Sequence, residues 1–465
     1  MRASRTGPAP TRKTDVLIVG GGASGLYAGF LLKQAGLPYL ILEAGLRVGG
    51  RVSSRPEMHS HLGLVLDEGA NLVNSTDSIA IGLLDRFDIG YVRRLRPGAD
   101  SMHYLTMGRA FSQAEFDALV FAESREALAR MMADQAIWRA DPGREFNARF
   151  IGEDIASYLR RCGAGPLLST MLKAFFWSEY GRELENLNLH VLFDYLALEV
   201  DCPCFKLIPN ADEAFTVPGG LAQVTDALAR ENAGHILTGR RVRRIMESGG
   251  AVLVEAVTPG GQVETHAAHN IAFAAPLHSL ASIEVMVDGL AQRVLEEARR
   301  ATYARGSKLH LKFARGFAQA YPFTGILLTD TGEQIWTSGT GQGGAGLLTV
   351  LTGPLPAGDA ATLERAGRVL QALEHIHPGL TKLYVEAERS DAPMSYSGAL
   401  RPGEAAGLAI TKGAAHWLTI GEAAGHELRG YLEGAFRSAD AAIRHHILAR
   451  HSKKASRVAA GPDGA

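Results

Sequence analysis

Short apolar runs and long amphipathic stretches alternate along this chain. DVLIVG and YLILE read as strands, whereas EALARMMADQAIWRA and ATLERAGRVLQALEHI space their apolar residues as helices do. That alternation predicts an α/β or mixed α+β fold. The first passage is the most regular. A strand over Asp15–Val19 runs into Gly20-Gly21-Gly22-Ala23-Ser24-Gly25, and a helix follows with Leu26, Phe30, Leu31 and Ala35 on its apolar side. A second strand, Tyr39–Leu42, ends in Glu43.

The glycines at 20, 22 and 25 meet the G-x-G-x-x-G spacing, and each has work to do. Gly20 allows the tight turn, Gly22 lets the backbone approach a pyrophosphate, and Gly25 lets helix and strand pack closely. The helix start, with Ala23 and Ser24, then turns unpaired N–H groups towards the phosphates. Glu43 stands where a carboxylate accepts ribose hydroxyls. Strand, glycine turn, helix, second strand and acid in this order predict a Rossmann-like dinucleotide site. The plainer alternative is a glycine turn that only packs a helix on a sheet.

Composition narrows the class. At 465 residues the chain is too long for one ordinary core, and 46% hydrophobic residues suffice to bury two. Lys plus Arg number 48 against 49 Asp plus Glu, so neither nucleic acid nor an anionic membrane is an expected partner. With no apolar run of spanning length and no h-region behind MRASRTGPAPTRKT, a cytoplasmic location is expected. Cys162, Cys202 and Cys204 lack the spacing of a zinc site or a disulfide framework, and no metal is expected. Residues 1–12 and 451–465 read as a disordered leader and tail.

After Glu43 and Ala44 the chain continues with Arg47, Gly49, Gly50 and Arg51. This resembles the Arg-x-Gly-Gly-Arg continuation of the flavin amine oxidase superfamily, which includes monoamine, polyamine and L-amino-acid oxidases. The resemblance implies FAD, with these glycines and arginines along its pyrophosphate and ribityl chain. HWLTIGEAAGHELRGYLEGAFRSADAAIRHHI is similar to the family's C-terminal flavin motif. There Gly421 and Glu422 would approach the phosphates and ribityl chain. The helix start at Tyr431 and Leu432 would offer its positive dipole end to the flavin pyrimidine. Val242, within RVRRI, matches the strand whose backbone meets the adenine; the arginines at 240, 241, 243 and 244 read as a solvated strand edge.

The same resemblance gives candidate chemistry. GSKLHLKF aligns Lys308 with the family lysine that holds a water against flavin N5, and His310 and Lys312 remain scaffold on what reads as a half-exposed strand. Tyr396 and Tyr431 match the two walls of the family's aromatic cage. Ser395 stands where monoamine oxidases carry the cysteine that bonds the flavin, so the FAD is expected to be non-covalent. Glu68 is a candidate near the flavin, with backbone capping as the alternative. Trp177, Glu179, Tyr180 and Arg401 are left open as lining residues, the aromatic run reading more as core.

The resemblance implies a monoamine-oxidase-like two-domain fold. The FAD domain would be built from 13–95, 208–288 and 403–450, with a substrate domain of mixed sheet and helices from 96–207 and 289–402. The expected reaction takes a hydride from a carbon bonded to nitrogen in a small-molecule amine and returns the electrons to O2 as hydrogen peroxide. An L-amino-acid oxidase using Arg401 as carboxylate clamp, a C–C desaturase or isomerase, and a non-catalytic flavoprotein are the rivals. A homodimer is left open as the assembly.

Overall fold

Parallel strands are covered on both faces and therefore read as continuous apolar runs. Val16 to Val19 and Tyr39 to Leu42 are buried throughout and pair in parallel. The computed structural model describes residues 12–94, 102–141, 144–199, 204–207, 212–287, 296, 303, 306–321, 323–390, 401–402, 416–424 and 430–451. The chain divides into two compact units: 1–52 with 223–301 and 408–465, and 53–222 with 302–407.

In the first unit the parallel ladder runs Ile236–Leu237, Tyr39–Leu42, Arg12–Val19, Val263–Phe273 and Trp417–Thr419. The first strand begins at Arg12, inside the expected leader, because Arg12 to Thr14 continue the ladder against His266 to Ala268. Val263–Phe273 also turns the sheet mixed: its start pairs antiparallel with Ala251–Val257, which leads on to Arg241–Ser248 and Glu284–Met286. Only Arg244 to Met246 are covered on the far side by Glu284 to Met286, so the start of Arg241–Ser248 is an edge, and Arg241 and Arg243 are exposed there as expected. Arg240 pairs with Glu264 and Arg243 with Glu255, while Arg244 pairs with both Glu255 and Glu284.

The helix Ala23–Gln34 is buried on every side from Ala23 to Leu32, against the one-sided helix expected, and Ala35 lies exposed beyond its end. A second helix explains the difference. Leu432–Ala442 packs on it, with the Tyr27 and Phe436 rings 5.2 Å apart and the Tyr27 hydroxyl donating to Asp440 at 3.1 Å.

The second unit is built on a seven-stranded sheet in the order Tyr384–Ser390, Ser307–Phe313, Gly346–Thr352, Glu333–Thr340, Ile326–Thr329, Met102–Thr106, Arg109–Ser112. Leu309, Leu311 and Phe313 pack with Leu348, Val350 and the helix Asp359–Ile376 through Val369, Leu370 and Leu373. The opposite face carries Lys308, His310 and Lys312. The hairpin Ser54–Pro56 with Val65–Asp67 and the helix Pro166–Tyr180 also belong to this unit. Residues 53–94 and 212–222 pack here, where they had been grouped with the dinucleotide segments: their strands pair among themselves instead of extending the parallel sheet. Among the described residues no helix is long and apolar enough to cross a membrane.

Candidate active site

Gly20 takes a φ of +111°, a backbone conformation that only glycine adopts without strain, and so ends the first strand in a tight turn. A Cβ on Gly25 would be driven into the Gly20 carbonyl oxygen and lie 3.2 Å from Ala274 Cβ. Gly22 behaves differently: a Cβ there would meet nothing nearer than Gly50 Cα at 3.9 Å and would project into the open cradle. The helix that follows has no acid in its first turn and no side-chain cap, so its N–H groups suit an anion from outside the chain. One Glu43 oxygen accepts Gly21 N–H at 2.7 Å and the other accepts Gly45 N–H at 2.7 Å. The carboxylate is thereby fixed, and each oxygen keeps a lone pair for a hydroxyl donor.

The two distant glycine motifs meet in this unit. Gly49 N–H donates to Gly21 O at 2.8 Å, and Arg47 donates to the carbonyls of Val48 and Gly50, bracing the loop instead of reaching away from it. Arg51 pairs with the buried Glu422 at 2.8 Å. A Cβ on Gly421 would lie 3.8 Å from Ser24 Oγ, and Ser438 Oγ bonds both the N–H and the carbonyl of Gly421. Tyr431 is the N-cap of Leu432–Ala442 and, like Leu432, is half-buried. Val242 is buried on its strand beside a bulge, and Ala44 is exposed. These residues fit the pyrophosphate and sugar portions of a dinucleotide.

In the second unit the strand Ser307–Phe313 is buried on both faces, which corrects the half-exposed reading. Its three basic residues have three different environments. Lys312 is held by Glu386 at 2.8 Å, by Glu388 and by Glu57. His310 lies between Ser390 at 3.0 Å and Thr349 at 3.3 Å, and burial pushes its pKa down to about 3, leaving it neutral. Lys308 donates instead to the backbone carbonyls of Gly69 and, at 3.5 Å, Asp67, with its ammonium 5.7 Å from the Trp336 ring centre. Burial pushes the Lys308 pKa down to about 8 against the opposing pull of Asp67, Glu213 and Glu179.

Glu179 and Glu213 answer that coupling. Burial raises each to about 7, and Glu179 is held by Gln334 at 2.6 Å. Glu213 keeps one enclosed oxygen without a hydrogen-bond partner and a φ of +46°. Glu68, the acid singled out from sequence, accepts from Ser53 at 2.8 Å and Arg55 at 2.9 Å. Its neighbour Asp67 makes the buried contacts: it accepts from Ser54, from Asn71 at 2.6 Å and from Leu221 N–H at 3.0 Å, and burial raises its pKa. Asp67, Asn71, Glu213 and Trp336 were not singled out. For Asp67 the signal was available, since it ends a strand and Glu68 lies just beyond it.

Tyr180 is buried against Phe176 and Tyr195 as core, and Trp177 is half-buried against Gly332 and Gly353. The Arg401 carbonyl accepts from Asn188 at 3.3 Å. Ser395, Tyr396 and Cys202 lie outside the described residues.

A family model described as flavin containing amine oxidoreductase matches residues 23–442. The Mycobacterium tuberculosis protein AofH, described as a flavin-containing monoamine oxidase, is 24% identical over 339 residues, covering 71% of each chain. Among solved structures, putrescine oxidase bound to putrescine superposes with a TM-score of 0.75 at 17% identity, over 93% of this chain and 99% of its own. Cyclohexylamine oxidase from Brevibacterium oxydans gives 0.73 at 19% identity, over 93% and 98%.

Proposed function

The chain belongs to the flavin-containing amine oxidoreductase family and is an FAD-dependent, amine-oxidase-like oxidoreductase; from that premise we propose that it oxidises a C–N bond in an amine to an imine and passes the electrons to O2. The substrate gives up a hydride from carbon and a proton from nitrogen. O2 takes up both electrons and both protons as hydrogen peroxide. When bound, FAD supplies the hydride acceptor and the route to O2.

The residues proposed to hold it are Gly20, Gly22, Ala23, Ser24 and Gly25 at the pyrophosphate, with Glu43, Ala44 and Val242 at the adenosine. Arg47, Gly49, Gly50, Arg51, Gly421, Glu422, Tyr431 and Leu432 complete the set. The observation that carries the oxidase reading is Lys308, a buried lysine hydrogen-bonded to carbonyls and not to a carboxylate. With a pKa near 8 it is mostly charged at neutral pH and offers that charge to the oxygen anion formed as O2 is reduced. By the family resemblance, Tyr431 and Tyr396 are the residues proposed to keep water from the amine and to favour positive charge developing on its nitrogen. The amine binds neutral, since its lone pair must assist hydride loss. Glu68 is retained as an acid that orients this region through Arg55.

A peroxide-coupled screen of primary, secondary and tertiary amines, amino acids and N-acyl amines tests the proposal. Putrescine and cyclohexylamine lead the primary amines because the structural neighbours are named for them. Peroxide from an amine is the expected result, and turnover of amino acids alone would favour the L-amino-acid oxidase reading. No peroxide from any C–N substrate would end the oxidase proposal.

A further inference from the structure

Lys312 is held by three carboxylates, whereas Lys308 has no such clamp, so something else must fix its ammonium. The hydrogen bonds under it form one continuous line. Trp336 Nε1 donates to Asn71 Oδ1 at 2.7 Å, and Asn71 Nδ2 donates to Asp67 Oδ2 at 2.6 Å. The second Asp67 oxygen is taken by Ser54 and by Leu221 N–H at 3.0 Å. The main chain of that same aspartate, with Gly69, supplies the carbonyls that receive Lys308.

Indole can only donate and a carboxylate can only accept, so the residue between them must do both. Asparagine does, and its amide orientation is thereby dictated: Asp in its place could not donate when ionised, and Ala could do neither. Asp67 and Asn71 are 6% exposed, Trp336 5% and Lys308 3%, so water cannot readily replace a missing partner.

We infer that Asn71 and Trp336 are positioning residues which, through Asp67, hold the Lys308 ammonium in the place and charge state its reaction requires. The indole does so twice, by orienting Asn71 and by presenting its ring to the ammonium. The other ionisable groups acting on Lys308 are Asp67, Glu213, Glu179 and the neutral His310. The inference rests on the role proposed for Lys308 above, and its test separates the two.

Full-length Trp336→Phe, which loses one N–H but keeps a ring, and Asn71→Ala are compared with Lys308→Met. Circular dichroism and FAD content establish folding; should Asn71→Ala not hold FAD, Trp336→Phe decides. Anaerobic reduction by substrate and reoxidation by O2 are followed separately by stopped flow, and the absorbance of the bound flavin is titrated with pH. Trp336→Phe and Asn71→Ala are expected to slow reoxidation by about 3- to 10-fold while leaving reduction within about twofold. The pH step in flavin absorbance, absent in Lys308→Met, should move to lower pH in both. If Lys308→Met slows reoxidation and removes the step while the other two variants match the wild type, the positioning inference falls and the lysine's role stands. If Lys308→Met itself matches the wild type in both readouts, the role of Lys308 falls and the inference with it.

Discussion

Replacing Lys308 by Met should change stability in a way that depends on pH with a definite sign. Burial lowers the pKa of this lysine from the ordinary 10.5 to about 8, a difference worth about 3 kcal/mol of disfavoured charge. Between those two values the unfolded chain holds a proton that the folded protein releases. Wild-type stability therefore rises with pH across about 8 to 10.5, and below about 8 the full penalty is present. Met carries no proton in either state. Urea unfolding of both proteins across this window should show Lys308→Met gaining on the wild type by about 3 kcal/mol as pH falls from 10.5 to 8. Loss of the bonds to the Asp67 and Gly69 carbonyls adds an offset that is the same at every pH, so the slope isolates the charge. A difference between the two proteins that does not vary with pH would refute the argument.

Lys312→Met should act in the opposite sense: it removes the fully buried cation shared by Glu57, Glu386 and Glu388, leaving Glu388 to Arg55, and should destabilise by about 3–5 kcal/mol in the same unfolding measurement. Gly25→Ala forces a methyl against the Gly20 carbonyl, an overpacking of about 1–3 kcal/mol. Calorimetric titration of the apoprotein should show weaker FAD binding, and unchanged affinity would contradict the close-packing role. Acid precipitation should leave FAD in the supernatant because Ser395 cannot form the thioether of monoamine oxidases. Yellow colour retained in the pellet would contradict this.

The glycine turn was legible because each of its residues acts through its own backbone, and spacing alone reveals that. The two flavin motifs were legible separately; that Arg51 meets Glu422 is a property of the fold. Alternation along Ser307–Phe313 correctly divided Leu309, Leu311 and Phe313 from Lys308, His310 and Lys312. It could not show that the polar face is also buried, because that depends on carboxylates from Glu57 and the strand Tyr384–Ser390. The helix Ala23–Gln34 likewise appeared one-sided because its second cover, Leu432–Ala442, arrives from the other end of the chain. Asn71 and Trp336 lie 265 positions apart, and nothing local to either residue announces their hydrogen bond. Sequence reasoning singled out the lysine and missed what holds it.

This chain is proposed to remove hydride from a carbon bonded to nitrogen. The most direct test of that proposal is a single turnover of the purified, FAD-loaded protein with the best amine from the screen, first without oxygen and then with it. Anaerobic bleaching of the flavin absorbance is expected, with one imine or its carbonyl hydrolysis product formed per flavin. On admitting O2 the colour should return with one hydrogen peroxide per flavin. A protein that keeps its FAD fully oxidised under anaerobic excess of every amine and amino acid tested would contradict it.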